Sequence, residues 1–361
     1  MTIYNVWYST IKLSNKLKLY ILKKLGSTEK IYNYCNSDQK VFDGELDENI
    51  LKIKLLKSWD ILKINTLIDL VKYNHIKVID YFNQSYPIKL QNLEDAPSIL
   101  YYKGNISKLN APSVSIVGSR KASYYGRKVT DIVCRELSKK EVNIISGMAM
   151  GIDAFAHWGA LKNNAYTCAI LGSGIDVIYP KINKDLYYKI LEKGCIISEY
   201  PPGTRPYAYN FPLRNRIISG LGDVLIVIEA SEKSGTLITA GCALEQGKDV
   251  LAVPGSIFCD TSKGTNKLIK DGAYPLTSIE DIFHLINMNY NTINENESTA
   301  LNIVEKKIYN ILCSDPIHID DLYKITNIDI KELYEVLFEL QLKNQITCLS
   351  GNYYVRIANS I

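Results

Sequence analysis

Five short stretches of small and hydroxylated residues punctuate the middle of the chain: Gly118-Ser119-Arg120, Ser146-Gly147, Gly172-Ser173-Gly174, Ser198-Glu199 and Lys233-Ser234-Gly235-Thr236. Backbone amides approach an anion closely only where side chains leave room, so such residues at strand ends and helix starts are what a phosphate-binding face needs. A single glycine after a strand is as readily a tight turn, and the weight lies in several such stretches along one edge. Arginine usage sharpens the reading. Among 42 basic residues the arginines are Arg120, Arg127, Arg135, Arg205, Arg214, Arg216 and Arg356. All but the last fall between 120 and 216, where a planar guanidinium can hold phosphate bidentately and a lysine cannot. Pairing with Asp or Glu inside the domain is the competing use, and it weighs most for Arg127, Arg135 and Arg205. The segment Phe211-Pro212-Leu213-Arg214-Asn215-Arg216 sets a ring three residues before an arginine on one helical face, with Pro212 in the first turn. A ring for base stacking beside a fork for phosphate suits single-stranded nucleic acid. A core phenylalanine beside two salt-bridged arginines has the same sequence.

Other chemistries find no support. There is no G-x-x-x-x-G-K-[ST], and Gly118-Ser119-Arg120 is not G-x-G-x-x-G, so neither an ATP-binding P-loop nor a dinucleotide fingerprint is present. Where a dinucleotide site wants an acid to hold the ribose, the chain has Ile145-Ser146-Gly147. His157 follows Asp153 by one helical turn, but no third ligand or nucleophile accompanies them. The 8 cysteines stand singly at irregular spacing, without a C-x-x-C pair, and read as buried free thiols.

These residues need elements to hold them. Apolar runs at 113–117, 142–145, 167–171, 195–198, 224–228 and 250–253 alternate with helical stretches near 124–140, 152–163, 183–193, 212–221, 235–247 and 264–271. Strands that are apolar throughout and flanked by helices are buried on both faces, the pattern of a doubly wound, mostly parallel α/β sheet. In such sheets the ligand lies beyond the carboxyl ends of the strands. Residues 1–85 read as a small helical domain, 86–286 as the α/β domain, 287–300 as a polar linker, and 301–361 as three helices and a hairpin, a winged-helix module. At ~100 to 200 residues per domain, 361 residues fit such a division. With 47% hydrophobic and 22% charged residues the composition is that of a folded, soluble protein, and the net charge of +4 names no partner. No apolar run of about 18 residues and no signal-peptide core occur, so a cytoplasmic protein without membrane attachment is expected. The 26 tyrosines, with abundant Lys, Ile and Asn, are what an AT-rich genome encodes. The basic excess in the N-terminal part therefore has two readings, codon bias and DNA contact. The C-terminal module is slightly acidic, which favours a protein contact or regulatory role over duplex reading.

The motifs SVSIVGSRKASYYG, IISGMAMGIDAFAHWGAL, AILGSGIDVIYP, ISEYPPGTRPYAYNFPLRNRIISGL, IEASEKSGTLITA and AVPGSIF resemble, in order and spacing, the DNA-processing protein A family (DprA, also called Smf). The likeness is close over about 86–284. The N-terminal helices are similar to the family's variable sterile-alpha-motif-like domain, and 301–361 to its winged helix. The resemblance implies a Rossmann-like fold and a homodimer that binds single-stranded DNA without cutting it. It also implies loading of the RecA recombinase, protection of incoming strands in natural transformation, and no cofactor or metal. It carries the DNA-binding elements onto Gly118, Ser119, Arg120 and Lys121 and onto Phe211, Arg214, Asn215 and Arg216. The neighbouring Ser146, Gly147, Gly172, Ser234, Gly235 and Thr236 follow. A dimer contact is expected on the helix that closes the α/β domain, at Leu268 or Ile269, neighbours about 100° apart of which one can face the sheet and the other outward.

Three departures from the family pattern remove positive charge. Met150 replaces an Arg common in G-x-A-R-G-I-D, Gly241 replaces an Arg common after I-T-A, and Ala208 stands where some members carry Lys. Fewer phosphate contacts are expected. The enzyme-class rival is the LOG-like group of nucleoside-monophosphate phosphoribohydrolases, whose P-G-G-x-G-T-x-x-E motif resembles the region of Gly235-Thr236. Here Leu237, Ile238 and Thr239 follow, and a carboxylate to stabilise glycosidic cleavage is missing.

Overall fold

The sheet starts well before residue 113. In the computed structural model, which describes residues 2–42, 44, 47–290, 302–313, 315–342 and 345–357, two strands precede the apolar runs: β1 (Lys77–Asp80) and β2 (Ile99–Gly104). Seven more follow: β3 (Ser113–Val117), β4 (Asn143–Ser146), β5 (Thr167–Ile170), β6 (Cys195–Ser198), β7 (Val224–Val227), β8 (Val250–Ala252) and β9 (Tyr274–Pro275). Their order is β1-β2-β6-β5-β4-β3-β7-β8-β9. From β6 to β9 every pairing is parallel, and β1 and β2 add an antiparallel margin. The stretch expected to be helical up to residue 85 thus ends in a strand, because Val78 and Ile79 are held in place by pairing with Tyr101 and Leu100 of a distant segment. No local periodicity reports that.

The central strands are buried end to end, as their unbroken apolar character requires. Strands β4, β5 and β6 are laid down on one side of β3, and β7 and β8 on the other. The chain therefore changes direction between β3 and β7, and a crevice opens beyond their carboxyl ends. That crevice receives the loops from Gly118 and from Glu229.

Five helices, Ile3–Thr10, Asn15–Leu25, Thr28–Cys35, Glu48–Leu56 and Ile61–Tyr73, make the N-terminal part. Thr2, Ser14, Ser27, Asp47 and Asp60 cap all five by accepting a backbone N–H in the first turn. Gly26, at φ 85°, stops the second helix in the left-handed conformation that a side chain would resist. Their apolar faces, with Trp7, Ile21, Leu22, Ile31 and Leu55, share one core with Tyr101 of β2 and Ile196 of β6. The phenol of Tyr101 meets the Ser9 hydroxyl at 2.6 Å. Helices and sheet accordingly form one compact unit, Met1–Asn287.

The second unit, Met288–Ile361, has helices Ile303–Ile311, Ile319–Thr326 and Ile330–Leu342 with β10 (Ile317–His318), β11 (Ile346–Leu349) and β12 (Tyr353–Arg356) in the order β10-β12-β11. Ile308, Leu322, Leu333, Leu337, Leu340 and Ile346 fill its core. This is a winged helix. Residues 291–300 of the expected linker lie outside the described residues. Cys35, Cys134, Cys168 and Cys195 are buried free thiols. Among the described residues no helix is long and apolar enough to cross a membrane.

Candidate nucleic-acid interface

The loop after β3 is shaped by what it must avoid. A Cβ at Gly118 would come 2.6 Å from Ile152, and one at Gly151, where φ is +78°, would come 2.2 Å from the Ser119 carbonyl oxygen. With both side chains absent, the Ile152 amide donates to the Ser119 carbonyl at 3.1 Å and fixes the loop to the start of the next helix. The Lys121 amide donates to Ser119 Oγ, also at 3.1 Å, which tightens the turn. Arg120 and Lys121 project from it, both exposed. Among the described residues the Arg120 guanidinium has no ion pair and no hydrogen bond, the condition of a cation kept for a ligand.

Across the crevice, Thr236 Oγ1 donates to the Gly118 carbonyl at 3.1 Å, and its amide donates to Ser234 Oγ at 3.2 Å. Gly235 faces open space, so a ligand can approach its backbone. Asn215 extends from the adjacent helix with Nδ2 at 3.5 Å from the Gly235 carbonyl. Glu229, at the end of β7, is buried and occupied: it accepts from the Ser123 amide (2.9 Å) and hydroxyl (2.5 Å) at the cap of helix Tyr124–Lys139.

Helix Asn210–Leu221 supplies the ring. Asn210 donates to the Gly172 carbonyl at 2.9 Å, which anchors the helix start over β5. Phe211 then lies half-buried on Gly172, where a Cβ would come 2.8 Å from the ring. Its centroid is 5.6 Å from that of Tyr179 and 5.7 Å from the Arg214 guanidinium.

The two arginines of this helix are not at the surface, contrary to expectation. Arg214 is 4% exposed; its Nη1 donates to the Gly147 carbonyl at 2.8 Å and also to the Ile170 carbonyl, tying β4 to β5. Beneath Gly147 it faces Asp153, whose carboxylate accepts from the Gly147 and Ala149 amides at 3.2 and 3.4 Å. Burial raises the Asp153 pKa against the pull of Arg214, and burial lowers that of Arg214 to about 10, leaving it charged at neutral pH. Arg216 is 6% exposed and bridges Asp95 (2.8 Å) and Glu199 (2.7 Å). Both guanidiniums are desolvated and spend most of their donors inside the domain, while Arg214 Nε and Arg216 Nη1 stay buried without a partner among the described residues. Ser146 is likewise buried and donates to the Ile116 carbonyl at 2.6 Å, and Gly147 and Gly172 are covered by Arg214 and Phe211. These glycines make room for the side chains that cover them.

The remaining arginines divide similarly. Arg135 pairs with Glu136 at 2.9 Å, Arg127 rests 4.6 Å above the Phe155 ring, and Arg205 is exposed. His157 is a core histidine: Nδ1 lies 2.7 Å from Thr167 Oγ1, which itself donates to the Ile144 carbonyl, and burial, with Arg214 nearby, pushes its pKa down to about 3. Among the described residues no cluster of His, Cys, Asp and Glu could hold a metal.

What sequence reasoning missed is aromatic. Tyr207 and Tyr209 stack at 5.4 Å and 6°, with 47% and 65% of each exposed, and Tyr179 is 43% exposed beside Phe211. Rings at alternate positions 207, 209 and 211 were the available signal, obscured by the tyrosine-rich composition.

The fold is shared with known proteins. Residues 77–287 match the family described as DNA recombination-mediator protein A. The chain belongs to the DNA-processing protein A family. Residues 295–352 match the DprA winged helix domain. The chain is 39% identical over 281 residues to the DNA processing protein DprA of Streptococcus pneumoniae, spanning 75% of this chain and 98% of that one. Against the Bacillus subtilis DprA it is 41% identical, over 58% of this chain and 70% of that one. The crystal structure of the S. pneumoniae protein superposes with a TM-score of 0.68 at 33% identity, covering 81% of this chain and 99% of the other. A Helicobacter pylori DprA structure, described for its single-stranded DNA binding mode, gives 0.54 at 30% identity over 60% and 97%. A DNA-processing role follows from membership, and the phosphoribohydrolase alternative is not favoured. Within the DprA frame the three charge losses fall at open positions. Met150 is 46% exposed, Ala208 is exposed, and a Cβ at Gly241 meets nothing within 4 Å. A long basic side chain would fit at each.

Proposed function

We propose that this chain binds single-stranded DNA along the carboxyl edge of its parallel sheet, without cleaving it, and acts in the cytoplasm as a homodimer that delivers the strand to a RecA-type recombinase during uptake or repair of DNA. The observation that carries the reading is the pairing of an uncommitted, exposed Arg120 with Phe211, an aromatic ring left half-exposed on a glycine seat. Phosphate and base face are thus both addressed, and no base edge need be read. Ser119, Lys121, Asn215, Ser234, Gly235 and Thr236 line the same edge. Non-catalytic binding is supported by the state of the acids and the histidine. Asp153, Glu229 and His157 are all buried and engaged in internal hydrogen bonds.

The dimer contact is assigned to helix Asp260–Lys270. Leu268 packs against the sheet core, which leaves half-exposed Ile269 as the residue to meet a partner, next to the exposed edge strand β9. An isologous contact enters twice, so Ile269→Arg should yield a monomer by light scattering that still binds a short oligonucleotide but no longer speeds RecA loading. The deciding experiment for the reading as a whole is titration with single-stranded DNA, duplex DNA and AMP. Preference for the single strand is expected, with no ribose 5-phosphate released from AMP. Equal affinity for duplex, or release of the sugar phosphate, would overturn it.

A further inference from the structure

A cleft of about 1430 Å³ runs between the N-terminal helices and the segment that leads into helix Asn210–Leu221. It exceeds the ~300 to 1,000 Å³ of sites for small molecules. One wall carries the Tyr207–Tyr209 stack, and the opposite wall is built from the loop after helix Ile3–Thr10 and the start of helix Ile61–Tyr73. Its acids are largely neutralised: Glu94 is bound by Lys16 at 2.7 Å, and Asp95 and Glu199 are both bound by Arg216. Lys16 and Arg216 are spent in these pairs, but other lining cations are not. Lys12, Lys63 and Arg205 line the cleft, are exposed, and have no side-chain ion pair or hydrogen bond among the described residues. Of the described acids lining the cleft, Glu245 alone is outside these ion pairs. A large, net positive cleft with exposed rings at one wall matches a polyanion that carries flat bases.

The channel also joins the edge already described. Tyr209 and Phe211 are two residues apart on one segment, and Asn210, Pro212 and Leu213 line the cleft from the helix whose Phe211 sits on Gly172. We propose that a single strand seated at Phe211 continues past Tyr209 and Tyr207 into this cleft, where the N-terminal helices contact its phosphates through Lys12 and Lys63 with Arg205 on the facing wall. The inference rests on the single-strand reading above and gives the N-terminal part a share in DNA binding. Rings on the Arg205–Phe211 segment would take over holding bases where Ala208 leaves no charge.

The test uses the full chain and thymidine oligonucleotides of about 6 and about 20 nucleotides, within and beyond the ~4 to 16 of a typical single-strand site, each titrated over a salt series. Lys12→Ala/Lys63→Ala should weaken the long oligonucleotide only. It should flatten the slope of log affinity against log salt by about 1.4, at ~0.7 per phosphate contact. Tyr209→Ala should weaken the long oligonucleotide by roughly five- to a hundred-fold with an unchanged slope. Phe211→Ala is the control and should weaken both lengths. If the double variant binds the long strand as wild type does while Phe211→Ala is impaired, the cleft path fails and the edge site stands. If Phe211→Ala has no effect on either length, the edge site fails as well. Equal weakening of both lengths by the double variant would also overturn the path, because a remote contact cannot act on a strand too short to reach it.

Discussion

Two regions of the same edge use arginine in opposite ways. In the loop after β3, Arg120 stands exposed on a turn, with its guanidinium unengaged among the described residues. In helix Asn210–Leu221, Arg214 and Arg216 are buried and supplied by carbonyls and carboxylates of four other segments, around Gly147, Ile170, Asp95 and Glu199. A guanidinium removed from water must find acceptors inside, and these two spend most of their donors there, with only the buried Arg214 Nε and Arg216 Nη1 left over among the described residues. The helix contributes its ring to the surface and its cations to the frame. The loop contributes the cation and no ring. Binding then depends on the frame only in so far as Arg214 and Arg216 hold Phe211 and the strand ends at the right spacing.

The largest effect expected from this contrast is on stability. Arg216→Ala leaves Asp95 and Glu199 without their partner, and the loss of one half of a buried pair costs about 3 to 5 kcal/mol. Denaturant unfolding should show it, and the fraction that remains folded should bind DNA normally. Arg120→Ala should leave unfolding unchanged. If Arg216→Ala melts like the parent but loses DNA, the two arginines have the reverse roles.

The buried side of the comparison also sets a pH dependence. The His157 pKa is about 3 in the folded chain against 6.5 for the ordinary side chain. As pH falls below that ordinary value the unfolded chain takes a proton that the folded chain refuses, so stability drops, by up to ~1.4 kcal/mol per pH unit, until the folded pKa is reached. Asp153, raised by burial, acts in the opposite sense over the range just above the usual carboxylate pKa, because there the folded state takes its proton first. His157→Gln should therefore unfold with a shallower loss of stability between neutral and mildly acidic pH than wild type. Parallel pH profiles would place His157 in contact with water.

Much of the frame was legible. The apolar runs from 113 to 253 mark β3 to β8 because strands buried on both faces need no alternation, and the small residues at their ends mark the edge where ligands collect. β1 and β2 were not legible, since they exist through antiparallel pairing with each other and with β6, and β9 is two exposed residues. Within the site, residue type located the guanidiniums but not their depth. Arg216 meets Asp95 across 121 residues of sequence, and no spacing rule connects them. Gly147 and Gly172 looked like room for phosphate and are room for Arg214 and Phe211, a distinction that only side-chain packing draws. Tyr207 and Tyr209 were hidden among 26 tyrosines until their rings were seen stacked and exposed.

Phe211 sits between the two regimes, and its truncation sharpens the comparison. If the exposed part of the ring stacks on a base, Phe211→Ala should cost ~1 to 3 kcal/mol of single-strand affinity at constant salt slope. If its buried part dominates, the loss appears in thermal unfolding, at up to ~3 to 5 kcal/mol, and the folded fraction binds normally. The seat on Gly172 and the 5.6 Å contact with Tyr179 give the ring some share in packing, so a modest melt shift alongside the affinity loss is expected. A full melt shift with normal binding would assign the ring to the frame with Arg214.

The smallest effect is the one that isolates the loop. Arg120→Lys keeps the charge and loses the planar fork, so a lysine can still neutralise one phosphate but cannot hold two of its oxygens at fixed angles. Because the residue is exposed and unpaired, unfolding should be unaffected. Affinity should fall by about 1 kcal/mol, the net scale of one ordinary hydrogen bond after its exchange with water. The salt slope should stay near that of wild type, since the number of neutralised phosphates is unchanged, whereas Arg120→Ala should flatten it by ~0.7. Arg120→Lys and Arg120→Ala thus separate geometry from charge at a single position. Were both to bind as wild type does across the salt series, Arg120 would be a solvated surface residue, and the cation for the strand would have to come from Lys121 or from the cleft.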